Sequence, residues 1–361
     1  MVPGRVLAFE TFGEEDPMRN LLLTFMIALG TLILAPTLSV AVTWYAKPDG
    51  TGDAATIQDA INAASNGDIV LLSAGTFTGV GNFNIEYFGK AITVTSESGP
   101  EFSIIDCQGN GRGFRFRNGE TAGSILDGVT ITNADAAGGK GGAIELIDVA
   151  AQILNNILVG NTAVAGGGIY IDKSSPTIQY NIFRNNTSAT EGGGIFIENT
   201  TGVVSFNLVE GNTATQEGGG MYVKTNSAIV ANNTIVYNSA SVGGGIVVDA
   251  GATPMIQYNI IAFNTAGGGF ACITSTPSLA CNDIFGNVGG DGFCGIDLGN
   301  NVASDPDFCG IPGSSNYFLQ SDSPCAPAQS GCGVLIGAWN VNCGSVATNQ
   351  RTWGSMKAMF E

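Results

Sequence analysis

Between residues 140 and 287 one phrase recurs on a nearly constant beat, and that beat limits what the chain can fold into. It reads GGAIEL from Gly141, GGGIYI from Gly166, GGGIFI from Gly192, GGGMYV from Gly218, GGGIVV from Gly243 and GGGF from Gly267. The apolar residue closing each glycine run falls at Ile144, Ile169, Ile195, Met221, Ile246 and Phe270, at intervals of 25, 26, 26, 25 and 24 residues. A second phrase keeps the same time. Asn156, Asn181, Asn207, Asn233, Asn259 and Asn282 are each followed five residues later by Asn161, Asn186, Asn212, Asn238, Asn264 and Asn287. A fixed period in the twenties marks a solenoid, whose repeats bury their apolar faces only by stacking on one another.

The repeating unit is built of strands. Its apolar pieces are short and β-branched (Ile169-Tyr-Ile171, Thr177-Ile178, Val203-Val204, Ile229-Val230, Ile246-Val-Val248), with glycine or asparagine between them. No window carries ten or more residues of helical periodicity. Three short strands and three turns per repeat describe one coil of a parallel β-helix, with like residues stacked about 4.8 Å apart. An inward asparagine at a turn can bond its own coil and the asparagine one coil away, so both asparagine series are expected to build ladders. Asparagine's tolerance of left-handed backbone suits the same turns. The triple glycines supply positive φ and close backbone approach at another corner.

On these motifs the coils resemble the right-handed parallel β-helix repeats of the pectin-lyase-like superfamily. The GG[AG]I phrase, with Phe183-Arg-Asn-Asn186 beside it, is also similar to the GGAI and FxxN repeats of polymorphic outer membrane proteins. The resemblance covers roughly residues 56–343. It implies an all-β, right-handed single-stranded parallel β-helix of roughly nine or ten coils, about 45 Å long at the strand spacing. The motifs are structural, so they specify architecture rather than activity.

Residues 56–65 (TIQDAINAAS) place apolar side chains at 57, 60, 61 and 64, the stripe of a short amphipathic helix. Such a helix is expected to cover the first coil, and the phrase resembles the N-terminal caps of secreted β-helix proteins. After Asn287 the beat fades. Asp305-Pro-Asp307 and Ser323-Pro-Cys325 are turn signals in a cysteine-rich stretch. The expected organisation is a β-helix with its N-terminal cap over residues 44–290, a disulfide-stapled C-terminal cap over 291–345, and a tail over 346–361. No stretch offers the many ten-residue strands of a translocator barrel.

Met18-Arg-Asn20, the apolar run at residues 21–35 and the small residues of Ser39-Val-Ala41 read as a signal peptide over residues 18–41. Pro36 ends the run, which is short for a membrane span, so none is expected after cleavage. Residues 1–17 are expected to lie upstream of the true start, with translation beginning at Met18. The protein is therefore expected to be secreted or held at a bacterial cell surface. All eight cysteines lie in the exported part. Disulfides are expected among Cys272, Cys281, Cys294, Cys309, Cys325, Cys332 and Cys343, while Cys107 stands apart.

The chain carries 13 basic and 30 acidic residues and no histidine, a formal net charge of −17. That balance argues against nucleic acid and anionic membranes as partners. The missing histidine removes Ser-His-Asp triads, Cys-His pairs and histidine metal sites, and it departs from the polygalacturonase-like members of the superfamily. No arginine-proline spacing like that of pectate lyases is present. A lyase would need a basic residue to abstract the weakly acidic α-proton of a uronate. The single basic cluster is GRGFRFR at residues 111–117, where Arg115 and Arg117 alternate with phenylalanines and are the weak catalytic candidates, with Asp106 and Glu120 nearby in sequence.

Acidic residues share repeat positions. Asp172, Glu198 and Asp249 form one row with Lys224 in the remaining place, and Glu191 and Glu217 form another. A carboxylate row suits calcium, the one cofactor this sequence invites, although Lys224 interrupts the row as a structural ion pair would. In the strand after each glycine run, alternation turns Ile169 and Ile171 inward and Tyr170 and Asp172 outward. The equivalents of Tyr170 are Phe196 and Tyr222. Three stacked rings beside Asp172, Glu198, Lys224 and Asp249 are the expected track for a sugar chain, rings covering pyranose faces and polar neighbours bonding hydroxyls. The favoured role is a non-catalytic scaffold for adhesion or for binding an extracellular or host-surface polysaccharide. A polysaccharide lyase or glycoside hydrolase, and a purely structural surface protein, are the alternatives.

Overall fold

The structure is a computed structural model that describes residues 40–225, 227–310 and 316–343. The upstream segment, the signal segment apart from its last two residues, and the tail at 346–361 lie outside the described residues.

The fold is an all-β parallel solenoid. Three long sheets of eleven, nine and eight strands run along it, and a fourth of three strands fills one corner. A single coil shows the order. Ile169–Asp172 lies in the eight-stranded sheet, Thr177–Gln179 in the eleven-stranded, Ile182–Arg184 in the nine-stranded and Thr187–Ser188 in the three-stranded. The next coil repeats in register, with Ile195 beside Ile169, Val204 beside Ile178 and Val209 beside Phe183. These inward residues are fully buried or nearly so. The interior is thus a stack of isoleucine, valine, leucine and phenylalanine rows, the pattern that β-branched strands produce when every coil stacks on like residues.

The asparagines sit inside the corners. The Asn207 amide donates to Ile178 O at 2.9 Å, Ser205 O at 3.0 Å and Asn233 Oδ1 at 3.0 Å. Its Oδ1 accepts from the backbone N–H of Asn181 at 2.9 Å and from Asn181 Nδ2 at 3.1 Å. The second ladder runs likewise, Asn186 Nδ2 to Asn212 Oδ1 at 3.0 Å and Asn212 Nδ2 to Asn238 Oδ1 at 2.9 Å. Both ladders extend past the repeat. Asn282 Nδ2 donates to Asn301 Oδ1 at 2.9 Å, and Asn287 Nδ2 to Asp291 Oδ1 at 2.8 Å.

One expectation is corrected here. The left-handed residue is not the ladder asparagine but the one before it, which is itself asparagine at Asn155 (φ 55°), Asn185 (φ 53°) and Asn232 (φ 53°) and aromatic at Tyr180 (φ 60°), Phe206 (φ 56°), Tyr237 (φ 57°), Tyr258 (φ 59°) and Phe263 (φ 55°). The asparagine must aim inward to reach the next coil, so the turn falls on its neighbour, whose side chain points out. The first glycine of each run does adopt positive φ, as at Gly192 (φ 63°), and a Cβ on Gly193 would collide with the carbonyl oxygen of Gly219.

A helix, α1 (Ile57–Ala63), occupies the stretch read as amphipathic; Thr56 Oγ1 accepts from Asp59 N at 3.1 Å to start it, and Ile57, Ala60 and Ile61 are buried. Lys90 Nζ donates to the carbonyls of Ile61, Asn62 and Ala64 at 2.7, 2.8 and 2.8 Å. A cation on the last free carbonyls of a helix is where the helix dipole favours it.

The C-terminal region differs from the expected cap. Ile296–Asp297 still pairs with Ser278–Ala280, so the last sheet continues beyond residue 290. The chain then folds back along the outside of the nine-stranded sheet. Tyr317, Leu319, Ile336 and Trp339 bury against Leu208, Val236, Ile260 and Ala262, which project outward from three successive coils. Tyr317 OH donates to Glu210 Oε1 at 2.6 Å, Ala338 N to Thr234 Oγ1 at 3.0 Å, Asn232 Nδ2 to Leu335 O at 2.9 Å and Gly337 N to Tyr258 O at 2.7 Å. Three disulfides hold this region: Cys272–Cys294, Cys281–Cys332 and Cys309–Cys343.

Cys325 is a second correction, being a buried free thiol rather than half of a disulfide. The other free cysteine, Cys107, belongs to the solenoid interior, whereas Cys325 belongs to the cluster outside the nine-stranded sheet. Cys325 Sγ instead donates to Asp283 Oδ2 at 3.1 Å, and Ser304 N to Asp283 Oδ1 at 3.0 Å. Burial pushes the Asp283 carboxyl up to about 6, its two hydrogen bonds opposing only in part.

Two outcomes follow. Asn207→Ala removes a side chain that serves three buried acceptors and two donors, and it should lower unfolding free energy by about 3–5 kcal/mol in urea titration, given roughly 1–3 kcal/mol per orphaned buried group. A loss under about 1 kcal/mol would deny the ladder its structural role. For Asp283 the native state favours the neutral acid. Its destabilising effect is therefore absent below the unfolded carboxylate value of about 3.9, grows as pH rises to about 6, and is full above it. Asp283→Asn should remove a fall of about 2–3 kcal/mol from the stability profile across that window; an unchanged profile would count against it.

Candidate functional site

The face singled out by sequence is the outer surface of the eight-stranded sheet. Strand pairing sets its central row as Glu86, Arg115, Glu145, Tyr170, Phe196, Tyr222, Val247 and Ala271. A parallel row reads Ile147, Asp172, Glu198, Lys224, Asp249 and Ile273. Both registers agree with the alternation read from sequence.

The rings are outward but not open. Tyr170, Phe196 and Tyr222 expose only 4, 3 and 4% of their surface. They stack on each other at centroid distances of 5.3 and 5.0 Å and form a small apolar cluster with Ala165 and Val247. The glycine turn leading into each strand folds back onto them, and a Cβ on Gly192 would stand 2.9 Å from Phe196 Cβ. An exposed stacking track is therefore absent at these three residues. Alternation tells which way a side chain points, but the turn of the same coil decides whether water reaches it.

Polar groups close over the rings. Lys140 Nζ lies 4.5 Å from the Tyr170 ring centre and 5.3 Å from that of Phe196, and donates to Tyr170 Oη at 3.0 Å. Tyr170 OH donates to Glu198 Oε2 at 2.9 Å, and Lys224 Nζ lies 3.4 Å from Glu198 Oε1. Burial pushes the Glu198 carboxyl up, but the Tyr170 hydroxyl, Lys140 and Lys224 outweigh it and leave the group below its ordinary value. Tyr222 OH donates to Asp249 Oδ2 at 2.7 Å, and Asn199 Nδ2 to Asp172 Oδ1 at 2.9 Å. Glu191 and Glu217 are bridge partners, and Glu217 is raised by burial and by its neighbours Asp249 and Glu191. Among the described residues no three acidic or thiol side chains gather closely enough to hold a metal. The carboxylate rows therefore do not fit a calcium cage; they are spread along the stack and tied to lysine, tyrosine and asparagine.

The arginines are matched by carboxylates. Arg112 Nη2 lies 3.3 Å and Arg115 Nε 3.9 Å from Glu145, and Arg117 pairs with Glu86. Asp106 accepts from Gln108 N and Asn133 Nδ2, and Glu120 is buried, accepting from Gly89 N and Asn118 N. These groups hold turns and neighbouring coils together.

A pocket that sequence reasoning missed lies where the C-terminal segment returns. It has a volume of about 240 Å³ and is lined by Tyr237, Phe263, Phe308, Tyr317, Asp305, Asp307, Gly310, Asn316 and Gln320. Half of it carried a signal, because Tyr237 and Phe263 each precede a ladder asparagine and so project from a corner. The half from residues 305–320 obeys no repeat.

A family model for the right-handed β-helix region matches residues 67–235 and 167–324. The chain belongs to the right-handed β-helix family. Solved structures similar to this β-helix include a PL6-family alginate lyase in mutant form, 13% identical with a TM-score of 0.37, the match covering 82% of this chain and 58% of that one. Another is the catalytic domain of a GH87 α-1,3-glucanase bound to tetrasaccharides, 11% identical with a TM-score of 0.19, covering 68% and 67%. This β-helix thus spans less than two thirds of the lyase chain. No curated protein matches the sequence.

The buried rings set an expected outcome. Phe196→Ala should cost about 3–4 kcal/mol of stability, as for an aromatic removed from a packed cluster. An effect on glycan retention with unchanged urea stability would restore Phe196 as a contact surface.

Proposed function

We propose that this β-helix is an exported, non-catalytic scaffold that binds an extracellular polysaccharide. The observation that carries the reading is the aromatic-lined pocket beneath the C-terminal segment. Three partly exposed rings, Tyr237, Phe263 and Phe308, backed by the buried Tyr317 and edged by carboxylates, combine the apolar faces and hydrogen-bonding groups that pyranose rings require. The three disulfides point to an oxidising, extracellular environment. No helix among the described residues is long and apolar enough to cross a membrane, which leaves β-barrels out of account.

The remaining parts of the reading fit this role. Residues 18–41 serve as the signal peptide, and α1 covers the first coil. Attachment at a surface fits the polymorphic outer membrane protein-like repeats and leaves the pocket, on the outside of the nine-stranded sheet, free to meet a polymer. The ion-paired arginines favour binding over cleavage, because Arg115 and Arg117 each face a glutamate rather than an open cleft.

The test is incubation of the mature protein with neutral, uronate and amino-sugar polysaccharides, with and without calcium, following both retention and new chain ends. Retention without cleavage, unchanged by calcium, is the expected result. New unsaturated or reducing ends that disappear with Arg115→Ala or Arg117→Ala would replace the scaffold with a lyase or hydrolase. Neither retention nor cleavage would leave a purely structural surface protein.

A further inference from the structure

The pocket under the C-terminal segment has a more specific chemistry than sugar binding in general. Tyr237 and Phe263 come from the same corner of consecutive coils and stack at 5.8 Å with 19° between their planes. Phe308 and Tyr317 come from the returning segment and meet edge to face at 5.1 Å. Contacts of 6.3 Å between Phe263 and Phe308 and 6.4 Å between Tyr237 and Tyr317 complete a ring of four. Tyr317 is held in place by its hydroxyl, which donates to Glu210 Oε1 at 2.6 Å.

The charged side chains that line the pocket have one sign. Among the described residues these are Asp305 and Asp307, with no lysine or arginine; Arg184, which acts on Tyr317, is paired with Glu210 at 2.7 Å. Asp307 has a left-handed backbone (φ 48°), and its N–H donates to Asp305 Oδ1 at 3.0 Å, so a local turn fixes the two acids at the rim. Burial and the neighbouring Asp305 and Asp322 carboxylates hold the Asp307 carboxyl above its ordinary value. Aromatic faces carry negative potential and attract cations, an effect of about 0.5–2 kcal/mol. Rings and carboxylates therefore ask for the same thing, a positive charge on an apolar body.

We infer that this pocket binds a protonated amine carried on a pyranose, the amino-sugar unit of a polysaccharide. A lysine side chain would satisfy the charge, but its slender stem would leave much of the Tyr237, Phe263 and Phe308 surface uncovered and give the exposed Gln320 amide no hydroxyl to meet. At about 240 Å³ the pocket suits one sugar unit, being smaller than the roughly 300–1,000 Å³ of drug-sized sites. Without residues 1–41 the chain keeps 11 basic and 26 acidic residues, and this net charge of −15 draws a polycationic chain toward the molecule over longer range. The inference rests on the polysaccharide-binding reading and narrows it.

The experiment is calorimetric titration of the mature protein, at mildly acidic pH, with a short glucosamine oligosaccharide, its fully N-acetylated counterpart and an oligolysine peptide. The glucosamine oligomer should bind at least about tenfold tighter than the acetylated one, which keeps the ring but loses the charge. The double variant Asp305→Asn, Asp307→Asn should lose roughly tenfold of that affinity with unchanged near-UV circular dichroism and melting temperature. Equal affinity for the two oligosaccharides would overturn the amine while leaving the polysaccharide reading intact. Binding of oligolysine alone, or of nothing, would overturn the amino-sugar inference, and the polysaccharide reading would then stand or fall by retention on the neutral and uronate polymers.

Discussion

Everything in this molecule depends on a side-chain amide that faces both ways along the stack. Each ladder asparagine gives its N–H groups to carbonyls of the preceding strands and to the next asparagine, and takes bonds from the one before. Hydrophobic stacking supplies most of the free energy but is indifferent to register. The amides are not indifferent. A coil slipped by one residue would bury two amides without partners, at roughly 1–3 kcal/mol for each orphaned group. The ladders thus convert a greasy cylinder into one with a single alignment, and every outward row inherits that alignment.

That is why so much was legible. The period located the coils, alternation gave the direction of Tyr170, Phe196 and Tyr222, and the helix stripe located Ile57, Ala60 and Ile61. These are local consequences of spacing. What escaped depends on contacts that spacing does not encode. The burial of Phe196 comes from a glycine turn folding over its own strand. Left-handed backbone fell on the residue before each ladder asparagine, whether Tyr180, Phe206 or another asparagine such as Asn185, because inward aim and turning cannot be met by one residue. Cys325 could not be separated from its six bonded neighbours without knowing that it faces Asp283. The return of residues 316–343 over Leu208, Val236 and Ile260 has no repeat to announce it.

The two outer surfaces differ for the same reason. On the eight-stranded sheet the repeat is strict, and its charges are consumed internally: Glu198 by Tyr170, Lys140 and Lys224, Glu145 by Arg112 and Arg115. A concave, aromatic-lined site forms where the repeat ends and a non-repeating segment meets corner aromatics. A regular solenoid supplies a rigid wall, and irregular sequence laid against it supplies a concavity.

The returning segment also changes how the stack comes apart. In a pure solenoid each coil touches only its neighbours, so loss of structure can travel inward from either end one repeat at a time. Here one strap lies across outward residues of three coils and is anchored by Cys281–Cys332 at the corner beyond them. The coils beneath it cannot peel singly; they are released together or not at all. Stepwise loss is left to the opposite end, while the half that carries the aromatic pocket behaves as one cooperative block. The strap is also synthesised after all the coils it covers, so that block closes only once they have emerged.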